Sequence, residues 1–152
     1  MGKKVIDLHK ILYPEEYKTT YIYTYHTFNT ELKQLLGKSG YVKEFKLKYH
    51  KALRFLENLK KTCIMNPNLF EQLRNADGMY SIMLKGEKNI RILYDFQIYQ
   101  EKEIAVIYNC FQEKATKDYS EEIQIAIARR KELFESEEEE CNDGEENANT
   151  SK

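Results

Sequence analysis

The stretch that decides the fold reads GMYSIMLKGEKNIRILYDFQIYQEKEIAVIYNCF, residues 78–111. Residues 79–84 (MYSIML) alternate in character. Residues 90–96 (IRILYDF) set Ile90, Ile92, Tyr94 and Phe96 on one side and Arg91, Leu93 and Asp95 on the other. A period of two marks a strand, because successive side chains point to opposite faces of a sheet. Between these runs, Lys85-Gly86-Glu87-Lys88-Asn89 is short, polar and glycine-bearing, as a hairpin loop requires. A polar turn at 100–102 leads to a third strand over 103–111 (EIAVIYNCF). Three successive strands joined by short turns predict an antiparallel meander.

Upstream, Asp77-Gly78 and Asn66-Pro67-Asn68 break the chain. Before them, Val42, Phe45, Tyr49, Ala52, Leu53, Leu56 and Leu59 recur at spacings of three and four, predicting a helix over 41–61. Its other faces carry Lys43, Lys46, Lys48, Lys51, Arg54, Lys60 and Lys61 against Glu44 and Glu57 only. Such a face is either a solvated helix surface or a surface for phosphates. Leu32, Leu35 and Leu36 predict a shorter helix, capped by Asn29 or Thr30 and closed by Gly37. Residues 17–27 (YKTTYIYTYHT), rich in β-branched and aromatic side chains, predict a strand that adds an edge to the meander. Val5, Leu8, Ile11 and Leu12 suggest a short helix that stops before Pro14. Downstream, Asp118 with Glu121 is a capping pair for a last helix bearing Ile123, Ala126, Ile127, Arg130, Leu133 and Phe134.

The expected class is α+β: an antiparallel sheet of the N-terminal strand and the meander, helices packed on one side, and a C-terminal helix. The expected domain spans residues 1–134, with 1–16 as an N-terminal extension. Residues 135–152 (ESEEEECNDGEENANTSK) hold no large apolar side chain and are expected to be a disordered acidic tail. With eight acidic residues and one lysine the tail carries −7. The rest of a chain whose formal net charge is −1 therefore carries +6. A basic body is compatible with nucleic acid as partner.

A chain of 152 residues, 41% of them hydrophobic, can bury a core without disulfides or a structural metal. Cys63, Cys110 and Cys141 are odd in number and far apart, which fits neither a disulfide framework nor a zinc site. His9, His26 and His50 are equally scattered, so neither a metal nor another cofactor is expected. No apolar run is long enough to span a membrane, and the N-terminus lacks the apolar centre of a signal peptide, so a cytoplasmic location is expected.

The hairpin GMYSIMLKGEKNIRILYDF, the stretch EKATK after the third strand and the helix EEIQIAIARRKELF resemble, in that order, segments of the RelE/HigB toxins of type II toxin-antitoxin systems, in their prophage-associated branch. The match is best from Gly78 to Phe134. The resemblance implies metal-free cleavage of mRNA on the ribosome by attack of a ribose 2′-hydroxyl, restrained by a cognate helix-turn-helix antitoxin. It also implies catalytic roles for Arg91 (phosphate contact), Lys114 (transition-state charge) and Tyr119 (proton donation or base stacking). Lys85 and Lys88 in the hairpin loop, with Lys46, Lys51 and Arg54 on the basic helix, are the RNA-binding candidates. The bland reading of Arg91 is an outward strand arginine paired with Asp95 or Glu103. The sequence departs from the family at Glu113, where a lysine pair loses its first member, and at Ser81 and Met83, where some members carry basic residues. Two alternatives share the scaffold: a ParE-like toxin that inhibits gyrase without cutting RNA, and an inactive prophage-derived binding protein.

Overall fold

The computed structural model describes residues 6–38, 40–114 and 119–135. The proposed tail beyond Glu135, the capping role of Asp118 and the start of the N-terminal helix at Val5 lie outside them. The described chain runs β1 (Ile22–Thr24), α1 (Phe28–Leu36), α2 (Tyr41–Leu59), a 3-10 turn (Lys60–Met65), β2 (Phe70–Gln72), β3 (Tyr80–Leu84), β4 (Ile90–Tyr99), β5 (Lys102–Gln112) and α3 (Ser120–Phe134).

The three meander strands form as their alternation requires. Ile90, Ile92 and Tyr94 enter one core, while Leu93 faces the other. The sheet order is β1-β5-β4-β3-β2. Two features correct the expected antiparallel sheet. β1 pairs parallel with β5, Tyr23 opposite Val106. A short β2 closes the other edge antiparallel to β3. The sheet is therefore mixed. The chain leaves β1 through two helices and returns by the meander, the kind of long crossover that a parallel pair requires.

β1 is shorter than its sequence suggests. The Thr19 hydroxyl oxygen accepts from the backbone N–H groups of Tyr21 and Ile22, turning the chain just before the ladder begins. The expected N-terminal helix is absent from residues 6–12. His9 instead exchanges backbone hydrogen bonds with Thr24 at 3.0 and 2.8 Å. Asn29 holds the same segment: its Oδ1 accepts from Leu12 and Tyr13, and its Nδ2 donates to the Lys10 carbonyl. A helix of a few residues is costly to nucleate, and an open strand edge supplies the backbone bonds instead. With Asn29 so engaged, Thr27 rather than Asn29 or Thr30 stands at the start of α1.

α1 and α2 cover one face of the sheet, with Phe28, Leu32, Phe45, Tyr49, Leu53 and Leu56 all fully buried. α3 covers the opposite face, against Leu93, Val106 and Tyr108. So the helices do not share one side. α3 buries Ala126 and Leu133 and packs Ile123, Ile127 and Phe134 against the same core, and polar ties add to this. Arg129 pairs with Glu31 on α1 at 2.6 Å and donates to the Tyr108 carbonyl at 2.7 Å. Arg130 reaches Asp95 at 3.0 Å and Asp77 at 2.7 Å. A register shift between Leu93 and Tyr94 sends both Tyr108 and Asn109 toward α3. There, the Tyr108 hydroxyl donates to Asp95 and the Asn109 amide to the Glu122 carbonyl. No helix among the described residues is long and apolar enough to cross a membrane.

Candidate functional site

Arg91 lies near the start of β4, across from Met83 on β3 and Phe111 on β5, on the sheet face that α3 covers. Alternation predicts that face. It does not predict what Arg91 meets there. Its Nε donates to Glu113 Oε1 at 3.1 Å and its Nη1 to Glu71 Oε1 at 3.0 Å. Its guanidinium carbon sits 5.0 Å from the centre of the Tyr119 ring, a cation–π distance. The side chain is only 11% exposed, and Glu113 only 13%. Arg91 is thus no outward surface arginine, and its carboxylate partners are neither Asp95 nor Glu103. Asp95 serves Arg130, and Glu103 serves Lys61.

Each ligand of Arg91 has its own support. Glu71 comes from the edge strand β2, opposite Ser81. Glu113 follows the end of β5, where its backbone N–H is pinned to the Asn89 carbonyl at 2.7 Å. Tyr119 immediately precedes α3, and its ring lies 5.2 Å from that of Phe111. Burial, reinforced by a hydrogen bond with Glu113, raises the Tyr119 hydroxyl above its ordinary pKa. Burial would lower the Arg91 pKa, but Glu113, Tyr119 and Glu71 outweigh it and hold the guanidinium charged. The result is a cation, a phenol and a carboxylate in contact, with a second carboxylate at the rim. Lys114 is exposed and directly follows Glu113 in the chain.

The remaining candidates separate. The Lys88 ammonium donates to the carbonyls of Leu35 at 3.1 Å and Leu36 at 3.5 Å, closing the C-terminal end of α1. Lys46 pairs with Glu15 at 3.0 Å. Lys51, Arg54 and Lys85 are exposed and line two adjoining hollows, one between α2 and the β2–β3 edge and one on the surface of α2 itself. The sequence-predicted set therefore falls into two places, Arg91 with Tyr119 beneath α3 and the α2 cations beside the sheet edge.

Sequence reasoning missed Glu71 entirely and took Glu113 only as a lost lysine. No periodicity could have paired them, since Glu71 approaches Arg91 from β2, one strand beyond β3, and Glu113 from the end of β5 on the other side. Among the described residues no three His, Cys, Asp or Glu side chains are grouped as a metal site would need. Compared with known proteins, the chain matches no family model and no curated relative.

Proposed function

We propose that the chain is an endoribonuclease toxin of the RelE/HigB type, which cuts mRNA on the ribosome and is held in check by a helix-turn-helix antitoxin. The observation that carries this reading is the contact of Arg91, Tyr119 and Glu113 at one end of the sheet, with the exposed Lys114 next after Glu113 in the chain. The order of elements, a strand, two helices, a meander and a final helix, accords with the resemblance.

The chemistry needs three services. A base takes the proton of the ribose 2′-hydroxyl, donors stabilise the charge on the phosphate, and an acid protonates the departing 5′-oxygen. The Glu113 carboxylate can accept the proton. Arg91 and Lys114 meet the phosphate oxygens. Tyr119, whose raised pKa keeps it a phenol, supplies a proton. The bond from the 2′-oxygen to phosphorus forms as the bond to the 5′-oxygen breaks, which leaves a 2′,3′-cyclic phosphate and a 5′-hydroxyl.

A second reading also has an observation behind it. Glu71 and Glu113 neutralise Arg91 in the free protein, which favours a ParE-like inhibitor of gyrase or an inactive prophage-derived binder on the same scaffold. Induced expression in bacteria separates them. The nuclease reading expects growth arrest, mRNA cut within ribosome-bound codons, and rescue by a neighbouring antitoxin gene. Arrest with intact mRNA and broken DNA selects the gyrase reading, and unimpaired growth at confirmed expression rejects both toxins.

A further inference from the structure

We propose that the cleft between α2 and the β2–β3 edge is a binding track for single-stranded RNA, separate from the Arg91 cluster. Its main hollow has a volume of about 370 Å³, with Lys48, Lys51 and Lys85 among its lining residues. A second hollow shares Lys51 and Phe55 with the first and adds Arg54. Across the two there are four cations and no carboxylate. On a helix, mixed charge is the ordinary arrangement, and Glu44 does pair with Lys48 at 3.0 Å from outside the lining. Lys51, Arg54 and Lys85 have no carboxylate within ion-pair distance among the described residues.

The lining also contains what a nucleobase needs. Phe55, Leu69 and Met83 are half-buried, so each offers an apolar surface below the exposed ammonium groups. Lys51 Nζ stands 6.0 Å from the Phe55 ring centre, placing a cation beside an aromatic face. Asn66 and Asn68 bring side-chain amides, which can donate to and accept from base edges. A phosphate chain with unstacked planar bases satisfies all three features at once. An acidic peptide would use the cations and leave the aromatic face and the amides idle. A duplex would present no free base face.

The wall is built rather than incidental. Lys48 donates from its ammonium to the Lys85 carbonyl, tying α2 to the hairpin loop. Gly86 sits so close to Tyr41 that a Cβ there would stand 2.5 Å from the Tyr41 ring. The loop is thereby seated on the first turn of α2, and Lys85 is held across from Lys51. Met83 on the cleft's rim pairs with Arg91 on the next strand, so the cleft and the Arg91 cluster lie at the same end of β3 and β4. The cleft binds RNA whether or not that cluster cleaves it.

The test uses the full chain and a fluorescein-labelled 2′-O-methyl decauridine, which lacks the attacking hydroxyl, with anisotropy read across a salt series. The K51E/K85E double variant changes exposed side chains only. It is expected to weaken binding at least about tenfold near 100 mM salt and to lower the salt slope by about 1.4, roughly 0.7 per lost phosphate contact on a single strand. F55A is expected to weaken binding about fivefold or more, and this loss persists at high salt because stacking is not screened. K102E, at an exposed position at the start of β5 and outside the cleft, should change binding less than either. Wild-type affinity in K51E/K85E overturns the assignment, as does failure of the wild-type chain to bind the oligomer. Displacement of the oligomer by octaglutamate at lower concentration than by unlabelled decauridine also overturns it, in favour of an acidic protein partner. Retained oligomer binding in a chain that cuts no mRNA supports the cleft while removing the nuclease reading.

Discussion

Arg91 illustrates how far a residue's role depends on its neighbours. As an outward strand arginine it would be a silent surface position, and its replacement by alanine would leave stability nearly unchanged. In the fold it satisfies Glu113, which is 13% exposed, and lies against the Tyr119 ring. R91A strands a largely buried carboxylate and should cost about 1–3 kcal/mol in stability, besides abolishing cleavage. Y119F removes the proton donor but keeps the ring under the guanidinium, so cleavage should fall while stability changes by no more than about 1 kcal/mol. Urea midpoints measured alongside single-turnover cleavage on ribosomes separate the two effects. If R91A is as stable as the wild type, the ion pairs contribute nothing and the cluster is loosely held.

At the scale of elements, α2 and α3 are secured by different physics. Leu56 on α2 is fully buried in the core shared with the sheet. L56A should therefore destabilise the protein by about 2–5 kcal/mol, readable as a shifted urea midpoint. α3 adds ion pairs to its apolar packing. The Glu31 carboxylate would be raised by burial, but hydrogen bonds from Arg129 and Thr27 and the charge of Arg129 outweigh that and hold it below its ordinary 4.5. A carboxyl lowered in the folded state is protonated first in the unfolded chain as pH falls. The Arg129–Glu31 contribution is thus complete above 4.5 and disappears as pH drops through the folded value. E31Q should be less stable than the wild type near neutral pH, with the gap closing in acid. A gap of constant size from neutral pH into acid would mean that the tie is packing rather than charge.

Across the whole molecule, both faces of the sheet are covered, and the thiols report on that cover. Cys63 is fully buried beside the Tyr94 hydroxyl at 3.1 Å, and burial raises its thiol despite that hydrogen bond. Burial likewise raises the Cys110 thiol. Since thiolate is the reactive form, a C141S chain should resist an aromatic disulfide reagent until it unfolds. Labelling followed across a urea series should track the loss of secondary structure. Rapid labelling in the absence of urea would reveal local opening at the α2–sheet interface.

The sequence by itself determined the parts whose signal is local. The alternation of Ile90, Ile92 and Tyr94 and the α2 stripe of Phe45, Tyr49, Ala52 and Leu56 each state which face is buried, because one period repeats over consecutive residues. The hairpin at Lys85–Asn89 was legible in the same way, and so were the basic character of α2 and the side of β4 that carries Arg91. Only the tertiary structure decided the parallel pairing of β1 with β5, the edge strand β2 and the extended course of residues 6–12. Each rests on backbone hydrogen bonds to partners far along the chain, and such bonds leave no pattern in side-chain type. The Arg91 cluster divides along the same line. Arg91 and Tyr119 could be named only through the family resemblance, and Glu113 read as a lost cation until the fold set it against the guanidinium. Glu71 reached the site only because β2 pairs with β3. Charge partnership is a matter of distance in space, and a linear sequence carries that distance only where neighbours in the fold are also neighbours in the chain.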